Sequence, residues 1–327
     1  MSVLSLAVVL LGVFLAATWL SGWLLHGATA WRRPRDRTRE LVGGRWNLML
    51  LLMPPLFGLL VALGAVWPAG SAGPGWHCHC ERHLLPFHLC LEHPGVSLSL
   101  LPYAALLVLL LGRRPLRTSI VLIRRLRAAR RLLAGQAWAK VSDVRGAVLL
   151  GELGQPNAFT LGLLRPVVVA DRAWWLSLAD DERAMVAAHE AEHADKRDPL
   201  AHFLVLLFAS FVPARLGRTL SAGWLQFAEH RADRSAAAAA ADDAMAVAEF
   251  LVRAYRRGAE PALLPAFCGG TLELRVRSLL ELGDDHLPGA PDVRLSLSLG
   301  VLGSTMLAVT VGYPIHLFVE KFLTFLR

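Results

Sequence analysis

Residues 189 to 193 read His-Glu-Ala-Glu-His. Two imidazoles four positions apart share one face of a helix and can point at one metal ion. Glu190, between them, then sits beside that ion, placed to take a proton from a bound water. Zn²⁺ lowers the pKa of such a water towards neutrality and makes a nucleophile of it. A hydrolytic site keeps one coordination position open, so His189 and His193 require a third protein ligand from elsewhere. The stretch FAEHRADRSA supplies Glu229, with Asp233 one helical turn further on. A carboxylate at Asp233 can accept a hydrogen bond from a ligand histidine and fix its tautomer. His230 competes for the third position; no residue is assigned to an oxyanion, and His230 and Arg231, the two considered for it, read more readily as ordinary helix-surface groups. The plain alternative is a charged helix face that happens to hold two histidines; the helical context and the downstream acidic pair favour the metal.

The elements around these residues follow from pattern. Asp180, Asp181 and Glu182 suit the positive end of a helix, with Ser177 as its capping residue and a run through Met185 to about Ala194. Upstream, GAVLLG and RPVVVA read as short strands separated by the turn-rich GELGQPNAFT. Downstream, an alanine-rich helix is expected from about Ser221 to Arg257. The apolar stretch PLAHFLVLLFASFVPA between them reads either as a buried helix or as one dipping into a membrane. His193 and Glu229 must lie on one side of any membrane to share an ion, and only 36 positions separate them. Residues 199–214 are therefore not expected to form a complete crossing.

Membranes enter through composition. The 327 residues are 55% hydrophobic, and mean hydropathy is +0.46. The first 31 residues carry no Lys, Arg, Asp or Glu, which predicts a retained anchor rather than a removable signal. Further apolar runs at 46–67, 96–112 and 295–319 bring the expected spans to four. The net charge of +8 could suggest nucleic acid, but its placement argues for the membrane. WRRPRDRTRELVGGR and RRPLRTSIVLIRRLRAARR each follow a predicted span, and arginine-rich short loops stay cytoplasmic. Anionic lipid is their expected partner, with LIRRLRAARRLLAG as an amphipathic helix on the membrane surface and no direct nucleic-acid binding.

The expected fold is thus mostly α. Residues 1–112 hold three transmembrane helices with an extracytoplasmic loop at 68–95. Residues 113–294 form a cytoplasmic α+β zincin-like domain, and 295–327 a fourth helix and short tail. The N-terminus lies outside a bacterial-type cytoplasmic membrane. The outer loop is dense in ligand types: His77, Cys78, His79, Cys80, His83, His88, Cys90 and His93. Soft thiolates with imidazoles suit zinc or copper, so a second metal and a sensor role are expected there. A structural disulfide between Cys90 and Cys78 or Cys80 is the alternative. Cys268 falls in the inner domain as a free or buried thiol.

AMVAAHEAEHADKRDPL, NAFTLGLLRPVVVA and the E-x-x-A-D of EHRAD together resemble the BlaR/MecR-type membrane metallopeptidases, over residues 120 to 283. The HtpX-type membrane proteases share H-E-x-x-H and a similar glutamate motif. The resemblance implies a gluzincin-like zinc site of His189, His193 and Glu229 with Glu190 as general base. It also implies that Asn157, Ala158 and Phe159 mark an edge strand for extended substrate, although Asn157 after Pro156 reads equally as a turn residue. The implied function is a signalling endopeptidase that cuts a cytoplasmic protein such as a transcriptional repressor, or itself. The alternatives are a constitutive quality-control protease and a catalytically silent receptor. No β-lactam sensing is expected, since no penicillin-binding domain follows the last predicted span. The expected partners are a protein substrate, membrane lipid and a second copy of the chain.

Overall fold

The computed structural model describes residues 3–31, 44–64, 100–143, 146–154, 157–256 and 272–280. Three helices come first: α1 (Val3–Trp31), α2 (Gly44–Gly64) and α3 (Leu100–Gly135). A four-stranded sheet follows, of β1 (Ala139–Asp143), β2 (Gly146–Gly151), β3 (Ala158–Leu161) and β4 (Val167–Asp171). Six further helices complete the described chain: α4 (Arg172–Ser177), α5 (Asp180–Asp195), α6 (Asp198–Ala209), α7 (Ala214–Ala239), α8 (Ala244–Arg256) and α9 (Leu272–Leu280). The outer loop, Cys268 and the predicted last span lie outside these residues.

Within α1, Ala7–Gly27 is long and apolar enough to cross a bilayer, judged by length and composition. In α2 the apolar run, Asn47–Leu63, is shorter, and the helix continues through Pro54 and Pro55. The third predicted span and the surface helix prove to be parts of one helix, the 36-residue α3. Pro115 does not divide it, since the ring costs the ladder only one donor and the flanking leucines and arginines favour helix. Among the described residues one helix is a candidate span by length and composition, and the predicted fourth span lies outside them.

α1 and α2 meet through small side chains. A Cβ on Gly58 would lie 2.6 Å from the carbonyl oxygen of Phe14, and the fully buried Thr18 lies beside it. Backbones approach this closely only where no side chain intervenes. Gly58→Val should part the two helices and cost about 1–3 kcal/mol. Thermal melting in detergent measures this; an unchanged midpoint would show that the contact contributes nothing.

These helices are not a separate layer. Leu51 of α2 is fully buried with Val205 of α6 and with Leu216, Leu220, Trp224 and Leu225 of α7. α6 sits in this core and spans 12 residues, or about 18 Å, too short to cross about 30 Å of hydrocarbon. At its far end the Arg114 guanidinium of α3 donates to the carbonyls of Ala209, at 2.9 Å, and Val212.

The sheet runs β1-β2-β4-β3, with β2 and β4 parallel and the other pairs antiparallel. Val148, Leu150, Val168 and Ala170 present one face to Val186 and Ala187 of α5 and to Trp175 and Leu178. Small side chains at 187 and 188 let α5 lie close to the strands. β3 is an edge strand, and its register pairs Phe159 with Val169 and Thr160 with Val168.

Two local expectations change. Ser177 does not cap α5; its hydroxyl donates to the Trp174 carbonyl at 2.7 Å, finishing α4. The cap residue is Ala179, whose N–H donates to Glu182 Oε2 at 3.1 Å, so only the acidic half of a capping box is present. The alanine-rich segment is also two helices. Ala241 and Asp242 adopt positive φ of 55° and 63°, and the Asp243 carboxylate accepts the Ala246 N–H at 2.9 Å to restart the helix. The break lets α8 fold back and bury Val247, Ala248 and Phe250, a tertiary gain that overrides helix propensity.

Candidate metal centre

α5 and α7 pack face to face, and this brings three donor groups together. His189 and His193 have their Nε2 atoms 3.2 Å apart, with ring planes 77° to each other. From α7, Glu229 places Oε2 3.7 Å from His189 Nε2 and Oε1 3.8 Å from His193 Nε2. One ligand atom from each residue lies within 4.8 Å of the other two.

The opposite edge of each imidazole is held by a carboxylate. His189 Nδ1 lies 3.1 Å from Asp233 Oδ1, and His193 Nδ1 lies 2.7 Å from Asp198 Oδ2. With a proton on each Nδ1, both Nε2 lone pairs face the same point. Two unprotonated acceptors 3.2 Å apart repel unless a proton or a metal cation lies between them. Nitrogens bound tetrahedrally to zinc at 2.0–2.1 Å stand about 3.3 Å apart. The donor set therefore fits a zinc ion held by His189, His193 and Glu229.

Charge says the same. Glu190, Glu192, Asp198, Glu229 and Asp233 gather here with Arg231 and Arg275, so with neutral histidines the sum is 2 − 5 = −3. Arg275 of α9 reaches Glu229 Oε2 at 3.2 Å and grips both Asp233 oxygens, its Nε donating at 2.9 Å. Burial would raise the Glu229 pKa, but Arg275 and the two histidines lower it. Asp233, 1% exposed, is held far below the carboxylate range against its burial, first by Arg275 and then by His189. Burial would likewise raise Asp198, and His193 with Arg231 lower it.

His193 feels the surplus. Burial alone would lower its pKa, yet the Asp198 hydrogen bond and the charges of Glu229 and Glu190 raise it to about 9. A raised pKa means the proton stabilises the metal-free fold below about pH 6.5, a contribution lost as pH rises through about 9. Zinc needs the unprotonated ring, so its binding must displace that proton. Zinc affinity should therefore rise about tenfold per pH unit between pH 6.5 and 8.5. Competition against a chelator of known pH dependence measures this, and a flat profile would refute it.

Glu190 is buried beside the histidines. Thr160 of β3 places its hydroxyl 2.8 Å from Glu190 Oε2 and 2.9 Å from the Glu190 carbonyl oxygen. Ala158 and Phe159 lie in that same edge strand. Asn157 precedes it, and its carbonyl accepts the Asp171 N–H at 2.8 Å, extending the ladder with β4. Among the described residues no strand lies on the other side of β3.

Two candidates from the sequence are engaged elsewhere. His230 turns towards α9, where its Nδ1 meets the Ser278 hydroxyl, and it is not part of the three-residue group. Burial, then Arg234, lowers its pKa. Arg231 contacts Asp198 and places Nε 2.8 Å from Glu192 Oε1, so its charge supports the histidine's partner. The residues His77, Cys78, His79, Cys80, His83, His88, Cys90 and His93 lie outside the described chain.

Pattern reading missed Asp198, Thr160 and Arg275. Asp198 had a signal: an acid before Pro199 marks a helix start five residues after His193. Thr160 and Arg275 had none, because nothing local ties them to α5 or α7.

Comparison with curated proteins and with solved structures gave no match. A match to the model of peptidase family M48 covers residues 126–262, the segment that carries His189, Glu190, His193 and Glu229, and it supports a metallopeptidase without singling out the BlaR/MecR type.

Proposed function

We propose that the protein is a membrane-anchored zinc endopeptidase that cuts a cytoplasmic protein, such as a transcriptional repressor or the chain itself, in response to a signal received outside. The observation that carries the peptidase reading is the convergence of His189, His193 and Glu229 beside Glu190 and the edge strand β3. The signalling part rests on the ligand-dense outer loop in the sequence. The anchor rests on Ala7–Gly27 and on outward-facing apolar side chains of α1 and α3, among them Leu4, Leu24, Leu109 and Leu110.

In this reading an extended peptide pairs with the open edge of β3, which fixes the scissile carbonyl relative to α5. Zinc at His189, His193 and Glu229 supplies Lewis-acid polarisation. Glu190 takes a proton from the attacking water and returns it to the leaving amine. Asp233 and Asp198 hold the two imidazoles with Nε2 unprotonated, and Arg275 and Arg231 hold those carboxylates in turn.

Profiling protein fragments in cells that express the wild type or Glu190→Ala tests the proposal. A cytoplasmic fragment found only with the wild type is the expected result; identical fragment sets would reject a peptidase and leave a silent receptor. Fragments that require Glu190 but are insensitive to substitution of Cys78, Cys80 and Cys90 would indicate a constitutive protease.

A further inference from the structure

The turn between α6 and α7 lies against α1 within the candidate span: a Cβ on Gly22 would stand 3.0 Å from Pro213 and 3.4 Å from Val212. Arg114 of α3 reaches the same turn, donating to the carbonyls of Ala209 and Val212. Burial, and then the charge of Arg218, lowers the Arg114 pKa, so Arg218 of α7 is a close neighbour. Arg113 and Arg117 share a face of α3, as Arg215 and Arg218 do on α7, and all four are exposed. Neither α3 nor residues 199–228 contains an Asp or Glu. None of the four arginines makes an ion pair among the described residues. The outward side chains of α3 also change character at this level. Leu106, Leu109 and Leu110 are exposed before it, and Arg113, Leu116 and Arg117 follow. A helix that leaves hydrocarbon for headgroups shows this change.

We propose that Arg113, Arg117, Arg215 and Arg218 form a site for anionic phospholipid headgroups, joining α3 to the α6–α7 hairpin at the membrane surface. The proposal rests on the reading of α1 as a membrane anchor. Guanidinium groups without a carboxylate partner favour an anion, and their planar forks match phosphate oxygens. The continuity of α3 confines the site. LIRRLRAARRLLAG, expected along the membrane surface, instead prolongs the helix, and Arg127 lies about 21 Å beyond Arg113 along the axis. Burial, then Arg125, lowers the His202 pKa, so this half of α3 runs beside α6 and away from the turn. Membrane surface charge is screened over about 8 Å at physiological salt, which leaves Arg127, Arg130 and Arg131 outside its reach. The hairpin braced by the headgroups carries Asp198 at the start of α6 and Glu229 in α7.

The test uses the full chain reconstituted in phosphatidylcholine bilayers with a trace of spin-labelled phosphatidylglycerol or spin-labelled phosphatidylcholine. Electron spin resonance gives the fraction of each lipid held at the protein. The wild type should hold phosphatidylglycerol about fivefold more strongly, the scale of one surface arginine acting on one charged headgroup. Replacing Arg113, Arg117, Arg215 and Arg218 together by glutamine should remove most of that preference, and replacing them by lysine should keep it. The milder pairs Arg113→Gln with Arg117→Gln, and Arg215→Gln with Arg218→Gln, should each remove part. Arg127→Gln with Arg130→Gln and Arg131→Gln should leave it intact, and millimolar inorganic phosphate should not compete.

Undiminished preference in the fourfold glutamine variant, or equal retention of the two lipids by the wild type, would overturn the proposal. So would an equal loss in the Arg127, Arg130 and Arg131 variant, which would spread the contact over the whole of α3. Displacement by inorganic phosphate would show a site for the free anion instead of the lipid. If neither lipid is held at all, the anchor reading fails, and the proposal fails with it.

Discussion

Replacing Glu190 by glutamine is expected to lower the peptide-bond hydrolysis rate by about 10²–10⁴-fold, the contribution of a positioned general acid–base group. The amide keeps the shape and can still accept from Thr160, so α5 should remain folded. It cannot hold a proton taken from water, and the chemical step loses its base. The three candidate ligands are left untouched, so zinc affinity should stay within a few-fold of wild type, and the separation of the two readouts is the point of the experiment. Steady-state cleavage of labelled casein measures the first and chelator competition the second. Residual activity above a tenth of wild type would remove Glu190 from the role. An equal collapse of zinc binding would show that Glu190 acts on the metal site rather than on the reaction.

How much of this centre could be read from the chain depends on the range of the interactions. His189, Glu190 and His193 are legible because a helix converts a spacing of four into a shared face, a purely local rule. Glu229 and Asp233 are legible as a pair for the same reason, and the α5–α7 packing brings that pair to the histidines. The strands GAVLLG and RPVVVA are visible in their apolar runs, and they are β2 and β4. The Ser177 cap and the unbroken alanine-rich helix went astray where a tertiary contact outbids local preference. Ser177 closes the short α4, which sequence did not separate from α5. At Ala241 and Asp242, two left-handed residues without glycine are tolerated because α8 gains a buried face by turning back. The span count is not settled by pattern either. Hydropathy measures how apolar a segment is but not what covers it, and Leu51 of α2 is covered by α7 as well as by any lipid.

Arg275 lies beyond the reach of any local rule, and removing its charge should have the second large effect. Its guanidinium joins Glu229 to Asp233, and its charge, ahead of those of the histidines, offsets the burial of both carboxylates. Arg275→Met keeps an apolar stem of similar length and leaves both acids without that partner. Breaking a buried pair from one side costs about 3–5 kcal/mol. For a domain of this size that is a fall of roughly 10 °C in melting temperature when zinc has been stripped by chelator. Zinc should return part of the loss, because a divalent cation at Glu229 supplies positive charge where Arg275 did. The zinc-induced rise in melting temperature should therefore be larger in the variant than in the wild type. Adding Asp233→Asn to Arg275→Met should recover stability in the metal-free chain, since the neutral amide no longer needs the guanidinium. The same double variant should bind zinc about 10–100-fold more weakly, because His189 loses the carboxylate that orients it. A single variant that melts like the wild type in chelator would mean that the Glu229–Asp233–Arg275 cluster contributes nothing to the fold. A double variant with wild-type zinc affinity would mean that Asp233 does not orient His189.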